Sequence, residues 1–140
     1  MRLPKNNYEL NKIFRNLKTS NVSQFKDEYF VDMLTGLPTL RKILHRKVFY
    51  HEKNRVLGYN VLLKNMIWGR FFLEEGICKE MDSIKVVVIN YNRPENSFIS
   101  NRIIDHVRCI EENALYLGRF NYLLRGKFFF LGYFSLLKIK

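Results

Sequence analysis

From residue 46 onward, apolar and polar side chains alternate in short runs divided by turn residues, the period-two signature of strands. Seven spans follow from it: 46–51, 55–63, 66–73, 84–91, 102–110, 114–124 and 127–138. Lys64-Asn65 and Arg125-Gly126 read as two-residue turns, and Glu111-Glu112-Asn113 as a three-residue loop with Asn113 left-handed. Asn92 to Asn101, with Pro94, is the one long connection. Before residue 46 the period is helical. Leu10, Ile13, Phe14 and Leu17 share one face of residues 7–18, with Lys12, Arg15 and Lys18 elsewhere on the wheel. This reads as a lid helix packed on the sheet, with a membrane-surface helix or an organellar presequence as the alternatives. A second helix is expected over Gln24 to Leu34, ending at Gly36, and a third turn from Pro38 through Leu44. Together these could plug one mouth of a barrel.

Four quartets sharpen the strand reading: Leu57-Gly58-Tyr59-Asn60, Trp68-Gly69-Arg70-Phe71, Leu117-Gly118-Arg119-Phe120 and Leu131-Gly132-Tyr133-Phe134. A glycine inside an apolar strand weakens it and marks a bend or a close approach. Recurring in strand after strand beside aromatics, it points to a sheet that is curved or closed. The expected fold class is mainly β: an antiparallel barrel or half-barrel of six to eight strands with N-terminal capping helices. It is read as a single domain, 1–45 as the helical cap and 46–140 as the barrel.

Composition narrows the function classes. At 140 residues with 47% hydrophobic content, 12 Phe and 8 Tyr, the chain can bury a core without metal or disulfide support. Cys78 and Cys109 belong to no paired-cysteine motif, so reduced thiols and a cytoplasmic location are expected. No secretory h-region is seen, and no apolar run reaches the roughly 18 residues of a transmembrane helix. The formal charge of +11 suits an anionic partner, either nucleic acid or a peripheral anionic surface. Its distribution is uneven: Arg41, Lys42, Arg46, Lys47, Lys53, Arg55 and Lys64 crowd residues 40–64, while Glu74, Glu75, Glu80 and Asp82 follow at 74–82. Without a dense basic tract, specific nucleic-acid binding is not expected.

Strand pairing through the assigned turns sets Asp105 opposite Arg119, and Arg119 opposite Gly132, on one largely apolar face that also carries Asn121. A carboxylate and a guanidinium on such a face should pair, with Gly132 making room. The first glycine hairpin sets Tyr59 opposite Arg70 and Val61 opposite Trp68, where Trp68 is either core or a ligand platform and Arg70 can meet an aromatic face. His106 points away from Asp105, so the two form no dyad. The spacing of His45 and His51 fits no metal pair, so no metal is expected; a lone axial haem histidine is left open. No phosphate-cradling loop, nucleophile elbow or catalytic-cysteine signature is present, and no cofactor or oligomeric state is indicated.

The order Tyr91-Asn92-Arg93-Pro94, Arg102-Ile103-Ile104-Asp105-His106-Val107-Arg108, Leu117-Gly118, Phe128-Phe129-Phe130-Leu131 resembles lipocalin-like, or calycin-like, small β-barrel proteins of uncharacterised bacterial type. Those carry a Gly-x-Trp-x-x-Arg signature, where this chain has Trp68-Gly69-Arg70. The resemblance implies an antiparallel barrel with an apolar pocket, without assuring enzyme activity. The expected function is therefore binding of a small apolar or amphipathic ligand, including one with an anionic group that Arg119 or Arg70 would meet. Trp68, Arg70, Asp105, Arg119 and Asn121 are the candidate site. The alternatives are an enzyme of cyclase or isomerase type with Asp105 as acid or base, and a basic interaction module for nucleic acid or an anionic membrane. An interior packed solid with Phe would favour the module, and a cavity with an exposed carboxylate the enzyme.

Overall fold

Residues 7–16 carry the helical stripe, and they form α1 (Asn7–Asn16), the one α-helix among the residues that the computed structural model describes, 2–36 and 44–139. The Asn6 side chain accepts from the Glu9 amide and so satisfies an otherwise orphaned donor at the helix start. The second expected helix does not form. Val22–Gln24 make a single 3-10 turn, and Asp27–Met33 are strand β1, with Tyr29, Val31 and Met33 buried while Phe30 and Asp32 face out. Alternation over a Tyr-Phe-Val stretch outweighs the helical spacing because β1 gains ladder partners on both edges. Of the third expected turn, residues 37–43 lie outside the described residues, and Leu44 already belongs to a strand.

The remaining strands are β2 (Leu44–Glu52), β3 (Arg55–Leu62), β4 (Ile67–Cys78), β5 (Ile84–Asn90), β6 (Ile103–Glu111), β7 (Leu115–Leu124) and β8 (Lys127–Lys138). Each pairs antiparallel with its sequence neighbour, and β8 returns to β1, closing an eight-stranded barrel with no free edge. The barrel thus begins at β1, inside what the sequence suggested was a helical cap. Lys64, Asn65, Asn113, Arg125 and Gly126 all take positive φ, as turn residues do, and Arg125-Gly126 is the expected two-residue turn. The β3–β4 connection is instead a three-residue turn, Leu63–Asn65, and the β6–β7 loop is residues 112–114 because Glu111 pairs with Leu115.

The four glycines serve the curvature in two ways. A side chain at Gly58 or Gly118 would collide with the ring of Phe71 or Phe134, so the aromatic of a neighbouring strand covers each glycine. Gly69 and Gly132 sit at bulges. Pairing runs Tyr59 with Arg70 but Asn60 with Trp68, and Phe120 with Gly132 but Asn121 with Phe130. At Gly69 φ is +74, a conformation that side chains resist.

Two cores result. Inside the barrel, Phe25, Tyr29, Phe49, Phe71, Tyr116 and Phe134 interlock, with the Phe25 and Tyr116 ring centroids 4.6 Å apart. Phe25, just after the 3-10 turn, is fully buried and plugs the end of the barrel opposite the β3–β4 and β7–β8 turns. The second core lies outside the wall, where Leu10 and Phe14 of α1 pack on Leu117 and Tyr133. The helix is a lid, as its stripe suggested, but it covers the wall of the barrel and plugs neither mouth. Among the described residues no helix is long and apolar enough to cross a membrane.

Candidate functional site at the open end of the barrel

Lys47 holds the decisive position. It stands two residues before Phe49 on β2, so strand alternation turns it into the lumen, where it is 2% exposed. Asp105 points inward from β6, four strands away in a ring of eight, so the two side chains reach across the lumen. Lys47 Nζ lies 3.7 Å from Asp105 Oδ2, donates to Asn60 Oδ1 at 2.7 Å and donates to the Tyr91 hydroxyl at 2.5 Å. Asn60 Nδ2 donates to the same hydroxyl at 2.8 Å. The Phe71, Tyr91 and Phe134 rings surround the ammonium with centroids at 5.2, 5.2 and 5.6 Å.

Burial works against both charges. It lowers the Lys47 pKa and raises that of Asp105, while each partner's charge pulls the other back. Tyr91 is pushed well above its ordinary value by burial and by the nearby carboxylate, so it stays a neutral phenol. Asp105 Oδ1 is buried with no hydrogen-bond partner among the described residues. The group borders a cavity of about 40 Å³, walled further by Met33, Ile103, Phe120 and Phe134, with Trp68 on its rim. That volume admits a water or a small polar head, far below the several hundred Å³ of a whole-ligand pocket. A larger groove of about 550 Å³ runs along the outer wall beside residues 2–5, open to solvent and lined by charges of both signs.

The structure divides the sequence-derived candidates. Asp105 and Trp68 border the mouth cavity. Arg70, Arg119 and Asn121 do not. Arg70 stacks on Tyr59 at 5.7 Å, the cross-strand pair the sequence indicated. The expected Asp105–Arg119 ion pair is absent. A bulge between Cys109 and Glu111 moves the register by one, setting Asp105 opposite Phe120 and His106 opposite Arg119. A second bulge sets Gly132 opposite Phe120, and Gly132 abuts the backbone of Thr35 and Gly36 where a guanidinium was expected. For the same kind of reason Val61 faces Ile67 and not Trp68. Lys47, Asn60 and Tyr91 escaped the sequence reading. The legible signal was Lys47 in the inward row of Phe49; its partnership across the lumen had none.

Arg119 instead anchors α1 to the outer wall. Its Nη1 donates to Asn11 Oδ1 at 2.9 Å and to the Tyr133 hydroxyl at 2.6 Å, and its guanidinium lies 4.1 Å from the Phe130 centroid. Arg108 Nη1 donates to the carbonyls of Phe14 and Arg15, satisfying the end of the helix. Beside this anchor, Cys78, Glu80 and His106 bring sulfur, oxygen and nitrogen donors within 4.8 Å of one another, a set of ligand types that suits zinc. Two features oppose an ion. Burial holds the Cys78 thiol up at about 11, and Asn121 Nδ2, a donor, faces His106 Nδ1 at 3.4 Å, so the ring proton belongs on Nε2. His106 points outward while Asp105 points inward, so the absence of a dyad stands.

No protein-family model matches the chain. No curated protein matches it either. A solved structure, the crystal structure of a protein from Thermomonospora curvata, is similar with a TM-score of 0.68 at 15% identity, covering 96% of this chain and 88% of that one. At that identity the likeness shows the barrel fold alone.

Proposed function

We propose that the protein binds a small apolar or amphipathic ligand at the open end of the barrel. The ligand's head is held by the Lys47–Asp105–Tyr91–Asn60 group, and its apolar part lies on the rim formed by Trp68, Ile103 and Phe120. One observation carries the reading: a buried carboxylate oxygen with unused acceptor capacity borders a cavity too small for a whole ligand but large enough for a head group. A polar group left this way costs stability unless something donates to it. Lys47 already has two acceptors and a carboxylate, so the capacity left over is for a donor. The preferred head is therefore a hydroxyl, amide or ammonium, and the anionic head expected from Arg119 or Arg70 loses its support because both lie outside the lumen. Most of the lumen is filled by Phe and Tyr rings, which on the sequence criterion favours an interaction module, so the ligand reading is confined to the small cavity at the mouth, which seats a head group without enclosing the ligand.

Trp68, the single tryptophan, reports on the rim directly. Titrations below micelle formation with decanol, decylamine and decanoate should give saturable, one-to-one changes in its emission, with decanoate the weakest. Asp105→Asn should abolish the preference for decylamine. No saturable response to any of the three, or an unchanged order in Asp105→Asn, would refute the reading.

A further inference from the structure

We propose that the open end of the barrel docks on an anionic lipid bilayer, with its loop tips entering the interfacial layer. The connections after β3, β5 and β7 all lie at that end, because every strand reverses the one before it. Most of the exposed large hydrophobic side chains among the described residues gather there. Met66 and Ile67 are exposed on the first tip, Phe98 and Ile99 on the second, at 74% and 60%, and Leu124 and Phe129 flank the third. Apolar side chains on three separate tips around a mouth form no groove for a peptide, but they can all enter one flat surface together.

Charge at the two ends completes the argument. Lys64, Arg102, Arg125 and Lys127 stand among the apolar tips with no ion-pair partner among the described residues. The only acid on these three connections is Glu95, already held by Arg93 at 2.7 Å. The opposite end mixes signs, with Glu52, Glu80, Asp82, Glu111 and Glu112 standing beside Lys53, Arg55 and Lys79 on or next to its turns. A bilayer with anionic headgroups answers both features at once, attracting the basic side chains and accepting the apolar ones. Nucleic acid would satisfy the charge and leave Phe98, Ile99 and Met66 in water. The inference stands apart from the ligand reading, since it uses the tips and not the lumen.

The test is co-sedimentation with vesicles, together with Trp68 emission and its quenching by brominated acyl chains. With about one part phosphatidylglycerol to three of phosphatidylcholine, binding should exceed that to pure phosphatidylcholine roughly tenfold or more and fall as salt rises. Trp68 emission should shift to the blue. The pair Phe98→Ser and Ile99→Ser, both on the surface, should remove the quenching. Lys64→Glu with Arg125→Glu should remove the preference for anionic lipid. Asp105→Asn should leave vesicle binding unchanged, so a failure of the ligand reading and a failure of docking are distinguishable. The proposal is overturned if anionic vesicles neither sediment the protein nor shift Trp68, or if binding survives the Phe98 and Ile99 replacements. It is equally overturned if those replacements dissolve a self-associated dimer, or the charge reversals abolish nucleic-acid binding, while vesicles are ignored.

Discussion

A buried histidine and a buried aspartate sit side by side in β6 and titrate in opposite senses. Burial drives the His106 pKa down to about 4, so the folded protein keeps its imidazole neutral where the unfolded chain, at roughly 6.5, takes up a proton. Below pH 6.5 the unfolded state therefore binds more protons at this site, and stability is lost as pH falls toward 4, on the order of 3 kcal/mol in full. Asp105 acts the other way, because burial raises its pKa and the folded state holds a proton that the unfolded chain has released. Urea denaturation of wild type and His106→Gln across pH 4 to 7 separates the two. The wild type should lose more stability toward acid than the variant, and parallel profiles would show that His106 does not stay neutral. On the lumen side, Lys47 and Asp105 are a pair that packing alone would not retain, since isosteric apolar replacement of a buried ion pair is often neutral or stabilising. At the scale of single residues, their presence in the inward row is the feature on which the proposed head-group site rests.

Among the elements, β3 and β7 are shaped by what their glycines leave room for. The Phe134 ring occupies the space a side chain at Gly118 would need, so Gly118→Val should cost roughly 1–3 kcal/mol by overpacking. Phe134→Leu in the same chain should recover part of that loss, and thermal melts of the two single variants and the double variant would show it. Strict additivity would mean that the ring and the glycine are not coupled. The element scale also explains what the sequence could reveal. Turns were legible because Lys64-Asn65, Arg125-Gly126 and Asn113 carry their backbone preference in their own identity. The helix was legible because Leu10 and Phe14 repeat at its period. Register was not. Bulges near Gly69, Ile110 and Leu131 each insert one residue, and one residue turns a side chain from lumen to outer wall. That displacement separated Arg119 from Asp105 while leaving Asp105 itself correctly read as a buried acid. β1 was misread even though Tyr29, Val31 and Met33 alternate, since a seven-residue run beside polar neighbours also fits a helical face.

For the molecule as a whole, closure makes distant parts of the chain depend on each other. β1 finds one of its two edges in β8, and the α1 anchor joins Asn11 to Tyr133 across 122 positions of sequence. The tip of the N-terminal half continues the theme, with the Leu34 amide bound to the Tyr133 carbonyl at 2.9 Å. Such separations must be closed against chain entropy before they return any stability, which slows folding. A chain cut after Gly126 should therefore lack slowly exchanging amides throughout β1 and β7 and show no fixed aromatic environment by near-ultraviolet circular dichroism. Native-like protection in the shortened chain would disprove that dependence. On the ribosome the same arrangement imposes an order of events. α1 and β1 are made before β8, which supplies Tyr133 to the seat of the helix and one of the two edges of the strand, so part of an apolar stripe and one sheet edge wait unpaired until β8 emerges. Lys12, Arg15 and Lys18 surround that stripe with charge, and β8, once made, completes the wall and the seats of α1 and β1 together.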